Sequence, residues 1–278
     1  MRRLAAMALL LTLAGCGLEA ANRSQTPNPS AQFEADSDLA RTFDRALVVV
    51  PRADGGPPLL GRMRDPAVET LLAGAGTRLP TVVYLHGCDG IGDTRHLQRL
   101  ARAGFVVVAP DSFARRFRPL QCRPSTGGGG DNVFVFDFRL AEVSYALHRL
   151  QDLPWVDFWR LFLIGDSEGG AAAALYRGEW FRGRVITQWT CHGNYFVRGL
   201  AGRPVEPVLA IVRADDPWYR QERTANQAGD CGAFMAGRPR SRSLVLPGGG
   251  HDVYDAPETM PAILEFLARE LAEVPPGR

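Results

Sequence analysis

The sequence predicts an α/β fold, a mostly parallel, doubly wound sheet with helices on both faces. Three observations predict it. Short β-branched apolar runs recur along the chain, amphipathic stretches alternate with several of them, and the residues able to do chemistry fall just past the ends of the runs. The runs are 46–50 (ALVVV), 81–85 (TVVYL), 105–109 (FVVVA), 161–164 (LFLI), 185–188 (VITQ), 208–212 (VLAIV) and 243–246 (SLVL). Each is short and apolar enough to be a buried strand. The stretches 94–103, 138–151 and 257–273 read as amphipathic helices, and 171–175 as the start of another. No internal repeat is visible. Four glycines at 127–130, after Pro124, Ser125 and Thr126, read as a loop. A phosphate cradle would continue with Lys and Ser or Thr, and here Asp131 and Asn132 follow.

Composition narrows the function classes. At 278 residues the chain is one large domain or two small ones. A content of 46% hydrophobic and 22% charged residues excludes a wholly disordered, collagen-like or polytopic membrane protein. Basic residues number 32 and acidic ones 30, and two of the basic ones, Arg2 and Arg3, fall in what reads as a leader. The balance left is neutral, so a generally basic nucleic-acid binder is excluded.

Residues 1–15 read as a signal peptide: Arg2 and Arg3, the apolar run 4–13, then small residues. The apolar run is too short to span a bilayer. Leu13, Ala14, Gly15 and Cys16 resemble the lipobox of bacterial lipoproteins. That resemblance implies acylation of Cys16 and a bacterial cell-envelope location, lipid-anchored in a membrane. Gly17, where Asp would direct retention at the inner membrane, leans towards the periplasmic side of the outer membrane. Residues 16–40, rich in Asn, Ser, Pro, Gln and Ala, read as a tether, and 41–278 as the folded domain. Without Cys16 four cysteines remain: Cys88, Cys122, Cys191 and Cys231. An even number in an oxidising compartment implies two disulfides, in one of three pairings.

In an open parallel sheet, ligands bind beyond the carboxyl ends of the strands. After 161–164 comes Gly165-Asp166-Ser167-Glu168-Gly169-Gly170, a G-x-S-x-G pattern between strand and helix. The glycines let strand and helix pass closely, and the sharp turn pushes the serine hydroxyl into the open above a helix N-terminus. A serine needs a base, and the base an orienting carboxylate. His251 follows the strand at 243–246 and a Pro-Gly turn. Asp215 and Asp216 follow 208–212. The favoured acid is Asp215, with Asp216 as the alternative. The oxyanion that forms during acyl transfer needs backbone amides, and those of Glu168 and of Cys88, in the turn after 81–85, are the candidates. His86 is expected to be a structural hydrogen-bonding residue.

Five blocks together resemble the dienelactone hydrolase branch of the α/β-hydrolase superfamily, over roughly 46–278. They are 84–90 (YLHGCDG), 104–113 (GFVVVAPDSF) with the arginines and Cys122 after it, 165–170, 215–218 and 250–252. The resemblance implies an α/β-hydrolase fold, Ser167, Asp215 and His251 in the triad places, and Cys88 and Glu168 in the oxyanion places. Dienelactone hydrolases use a cysteine nucleophile where this chain has Ser167, so the lactone substrate does not carry over. The family's strand order implies the pairs Cys88 with Cys122 and Cys191 with Cys231. Arg115 and Arg116, near Arg118 and Arg123, are candidates for a substrate carboxylate. His192 and Trp218 are further pocket candidates, with Trp189, Tyr195 and Tyr219 near the same edge. The expectation is a carboxylic ester hydrolase acting through an acyl-enzyme on a small ester, with no cofactor, no metal and no nucleic-acid partner. The alternatives are a noncatalytic binding or scaffold lipoprotein and a small peptidase.

Overall fold

A computed structural model describes residues 37–130, 132, 134–178, 181–193 and 198–273. The signal peptide, Cys16 and most of the expected tether lie outside the described residues, as does Tyr195. The fold starts earlier than the composition suggested. Helix α1 (Asp38–Asp44) begins at Ser37, whose hydroxyl accepts from the Ala40 amide at 3.1 Å. Leu39, Ala40 and Phe43 are buried, so residues 38–40 belong to the domain.

The sheet has eight strands: β1 (Leu47–Val50), β2 (Leu59–Arg62), β3 (Leu79–Leu85), β4 (Val106–Ala109), β5 (Val156–Asp166), β6 (Gly183–Thr187), β7 (Val208–Asp215) and β8 (Arg242–Gly249). Their order is β8-β7-β6-β5-β3-β4-β1-β2. From β8 to β4 all are parallel, and β1, antiparallel to both β4 and β2, is the one reversed strand of this sheet. All seven expected strands are present. The eighth, β2, is a half-exposed edge strand whose Leu-Leu-Gly-Arg lacks the β-branched signature of the others.

Alternation of side chains along the strands divides the core in two. Val83 and Leu85 of β3 face the cluster that takes in α1, α2 (Pro66–Ala73), α4 (Val135–Leu150) and α5 (Glu168–Leu175). Val82 and Tyr84 face the other cluster, closed by α3 (Arg95–Arg102) and α6 (Thr259–Ala272). Helices therefore cover both faces, as a doubly wound sheet requires.

Topology fixes where chemistry can sit. The chain steps from β3 outward to β4, then returns to place β5 on the other side of β3. That reversal opens a crevice beyond the carboxyl ends of β3 and β5. The cysteines brace this end of the sheet through two disulfides, Cys88–Cys122 and Cys191–Cys231, with Cα separations of 5.3 and 4.9 Å.

Candidate active site

The turn between β5 and α5 is held by close backbone approach. A side chain on Gly165 would lie 2.1 Å from the Gly169 carbonyl oxygen, and one on Gly169 the same distance from that of Leu85. One on Gly170 would lie 2.6 Å from the Thr187 carbonyl oxygen. Only glycine fits at these positions, because α5 lies directly on the ends of β3, β5 and β6. The corner residue is Ser167, at φ 52° and ψ −112°, a conformation costing about 1–3 kcal/mol in a residue with a side chain. Its amide donates to the Thr187 carbonyl at 2.8 Å, which helps to hold the strained backbone in place.

His251, on the loop after β8, reaches the serine. Its Nε2 lies 2.8 Å from Ser167 Oγ, and its Nδ1 lies 2.8 Å from Asp216 Oδ2. An ionised carboxylate only accepts, so Nδ1 carries the proton and Nε2 accepts from the serine hydroxyl. Asp216 is itself fixed, since its Oδ1 accepts from the Trp218 amide at 2.9 Å. The Trp218 ring sits 5.6 Å from the imidazole, centroid to centroid, and Tyr219 flanks the same ring while donating to the Gln188 carbonyl.

The carboxylate that meets the imidazole is thus Asp216, and the preference for Asp215 is corrected at that position. Asp215 is the last residue of β7, exposed and ion-paired to Arg220. Successive strand residues point to opposite sides, so the neighbour of an outward-facing Asp215 turns inward. There Asp216 caps the single helical turn Pro217–Arg220 and meets the imidazole.

The turn after β3 abuts the serine. A Cβ on Gly87 would stand 3.5 Å from Ser167 Cβ. The Gly87 carbonyl accepts from the Gly90 amide (3.2 Å), from His86 Nδ1 (2.7 Å) and from Arg139 Nη2 (3.1 Å). Carbonyl and N–H of a trans peptide point in opposite directions, so these donors also fix the direction of the Cys88 amide. The Cys88 carbonyl accepts from the Cys122 amide at 3.1 Å, and the disulfide joins the same two residues. Glu168 opens α5, where its N–H has no acceptor within the helix. His86 has the structural place expected of it. It is buried, and its Nε2 accepts from the Ser112 amide (3.2 Å) and from Arg139 Nη1 (3.1 Å). Burial, then the Arg139 charge, hold its pKa well below the usual histidine value, so the ring is neutral.

Arg139 is the residue sequence reasoning missed. Fully buried on α4, it ties Gly87 and His86 on one side to Glu168 Oε1 on the other, at 2.8 Å from Nη2. Burial pushes the Glu168 carboxyl up, and Arg139 pulls against that. Glu142, also buried, accepts from Ser112 Oγ at 2.5 Å and pairs with Arg115 at 2.9 Å. An arginine and a glutamate three residues apart on the inward side of a helix are the signal that could have found this network. The network also corrects the role given to Arg115. Its guanidinium is committed to Glu142 and stacks on Phe138, so it is not free to take a substrate carboxylate. Arg116 lies on the exposed loop, its amide on Asp38. His192 turns its ring to the Asp230 carbonyl (3.1 Å) and Phe234. Of the four pocket candidates, only Trp218 meets the imidazole. Among the described residues no three His, Cys, Asp or Glu group as a metal site.

Asp166, just before the serine, places a second carboxyl near the imidazole. Thr187 Oγ1 donates to it at 2.9 Å. Burial pushes this carboxyl up to about 7, against the opposing pull of His251 and Thr187. At His251 burial works against the charged ring, but the hydrogen bond and charge of Asp216, with Asp166 and Asp89 behind them, outweigh it. The imidazole pKa is raised. A base must be neutral to accept a proton, so the acidic limb of kcat/KM reflects this raised, coupled ionisation. Asp166→Asn removes a negative charge that favours the imidazolium. The limb for a neutral ester is expected to move to lower pH, and a limb that stays or moves up would contradict this coupling.

No family model matches the chain, and no curated protein matches it. Solved structures do. One is a protein assigned by name as a dienelactone hydrolase from Klebsiella pneumoniae subsp. pneumoniae MGH 78578, at 18% identity and TM-score 0.54, over 70% of this chain and 89% of that one. Another is the esterase Pf2001 of Pyrococcus furiosus, at 17% identity and TM-score 0.52, over 84% of this chain and 94% of that one. The chain has the α/β-hydrolase fold. At these identities the likeness extends to the fold alone, and chemistry has to be argued from the residues.

Proposed function

We propose that the chain is a serine hydrolase that cleaves a carboxylic ester through an acyl-enzyme. The observation that carries this reading is the pair of 2.8 Å contacts linking Ser167 Oγ, the His251 imidazole and Asp216. The Ser167 hydroxyl attacks the ester carbonyl while His251 Nε2 takes its proton, and Asp216 stabilises the imidazolium. The oxyanion is received by the amides of Cys88 and Glu168. The imidazolium then protonates the leaving alkoxide, the alcohol departs, and the acyl group stays on the serine. Water, deprotonated by His251, releases the acid and restores the enzyme.

In this reading Trp218 forms one wall of the pocket, and the substrate is neutral, because Arg115 is engaged by Glu142. The Pyrococcus furiosus esterase and the Klebsiella protein named as a dienelactone hydrolase support a hydrolase in general terms. The leader-like residues 1–15 and Cys16 support a lipid-anchored cell-envelope location. Turnover of short and medium acyl aryl esters against matched anilides tests the reaction class. Ester cleavage with little or no anilide cleavage is expected. Preferential anilide cleavage would make the chain a peptidase, and no turnover by folded protein would make it a scaffold.

A further inference from the structure

The loop that follows β4 carries side chains that the catalytic arrangement does not use. Phe117 is 87% exposed, Leu120 64% and Phe134 58%, and Phe138 on the first turn of α4 is exposed as well. They belong to one neighbourhood. The Asp38 carboxylate accepts from the amides of Arg116 (2.9 Å) and Phe117 (3.4 Å). Asn132 bonds in both directions with Leu120, at 2.8 and 3.0 Å. Phe134 and Phe138 stand one helical turn apart, and the Arg115 guanidinium lies 5.1 Å over the Phe138 ring. Arg116, Arg118 and Arg123 are exposed along the same loop, with Asp137 as the acidic neighbour.

We propose that this face docks on a lipid bilayer with anionic headgroups. Phe117, Leu120 and Phe134 would enter the boundary between headgroups and acyl chains, and the arginines would meet headgroup phosphates. Two placements argue for this occupant. Residues 1–36, which carry Cys16 and lie outside the described residues, lead into Ser37, next to the Asp38 that holds the Phe117 amide. The loop is also fastened to the turn beside Ser167, through the Cys88–Cys122 disulfide and a 3.1 Å bond from Gln121 to the Asp89 carbonyl. Docking there turns the catalytic crevice towards the bilayer. A second copy of the chain fits less well, since a two-fold contact would set arginine-bearing rims against each other. The choice of occupant rests on the proposed anchor at Cys16, and its test requires no acylation.

The test uses the chain from Gly17 onward, which lacks the leader and Cys16 but keeps the whole described core. Its four cysteines are paired, so Phe117→Cys adds a single thiol for an environment-sensitive fluorophore. Vesicles of phosphatidylcholine with about one third phosphatidylglycerol are the probe. Unlabelled protein is expected to sediment with them, and the Phe117 label to shift to the blue. A label at Trp159→Cys, near the opposite end of β5, is expected to stay unchanged. The double variant Phe117→Ser, Leu120→Ser is expected to lower partitioning by about 100-fold. Arg116→Gln with Arg118→Gln should lower it by about tenfold, as should high salt. In vesicle-free buffer the serine double variant should turn over a soluble ester like the parent, which separates loss of docking from loss of folding. The proposal is overturned by a parent chain that does not partition, by partitioning indifferent to the serine variant, or by a blue shift at Trp159. A dimer that the serine variant disrupts would overturn it too, by assigning the face to self-association.

Discussion

Asp216→Asn is expected to lower kcat by about ten-thousand-fold, and Asp215→Asn to change it by less than about twofold. The contrast comes from one step along the chain. Asp216 is buried against the imidazole and also caps the Trp218 amide. An asparagine there can offer its NH2 to His251 Nδ1, which moves the ring proton to Nε2, where it can no longer accept from Ser167. Asp215 pairs with the exposed Arg220, and an exposed pair contributes little. Steady-state kinetics of the two variants on one ester decide between them. Equal losses, or a larger loss at Asp215, would remove Asp216 from the role given to it.

The second large effect is expected at Arg139, which touches no reacting atom and acts as a positioning residue. Its guanidinium holds the carbonyl that aims the Cys88 amide and the carboxylate of Glu168, so it steadies both candidate oxyanion donors. The oxyanion exists only near the transition state, so loss of this brace should appear in kcat and spare KM. Arg139→Lys keeps the charge but cannot span Gly87, Ser112 and Glu168 with one ammonium. A fall in kcat of about 10- to 100-fold is expected, with KM within about twofold. Arg139→Met would in addition leave Glu168 buried without its cation and Glu142 with Arg115 alone, costing about 3–5 kcal/mol. The lysine variant, checked by near-UV circular dichroism, is therefore the informative one. A raised KM at constant kcat would instead assign Arg139 to substrate binding.

The parts of this site legible in the sequence were those fixed by local constraint. G-D-S-E-G-G could be read because backbone packing at Gly165, Gly169 and Gly170 excludes every other residue. His251 could be read because it follows a strand end in a chain with only five histidines. The choice between Asp215 and Asp216 depends on where β7 ends and which way its last side chain turns, and adjacent identical residues give no pattern to settle that. Arg115 looked like a substrate ligand because its partner, Glu142, lies 27 residues away on another element. Arg139 was hidden for the same reason, as a charge inside a helix that otherwise reads as amphipathic. Helix α1 was concealed by its setting, about two turns of helix after a polar segment, and declared itself only through the burial of Leu39 and Phe43.

The central claim is that Ser167 Oγ is made nucleophilic by His251. Mass spectrometry of the folded protein after reaction with a fluorophosphonate tests it most directly, since the reagent phosphonylates only an activated serine. A single adduct on the peptide containing Ser167, lost in His251→Ala, is the predicted result. A folded protein with no adduct, or with its adduct on another residue, would contradict the account.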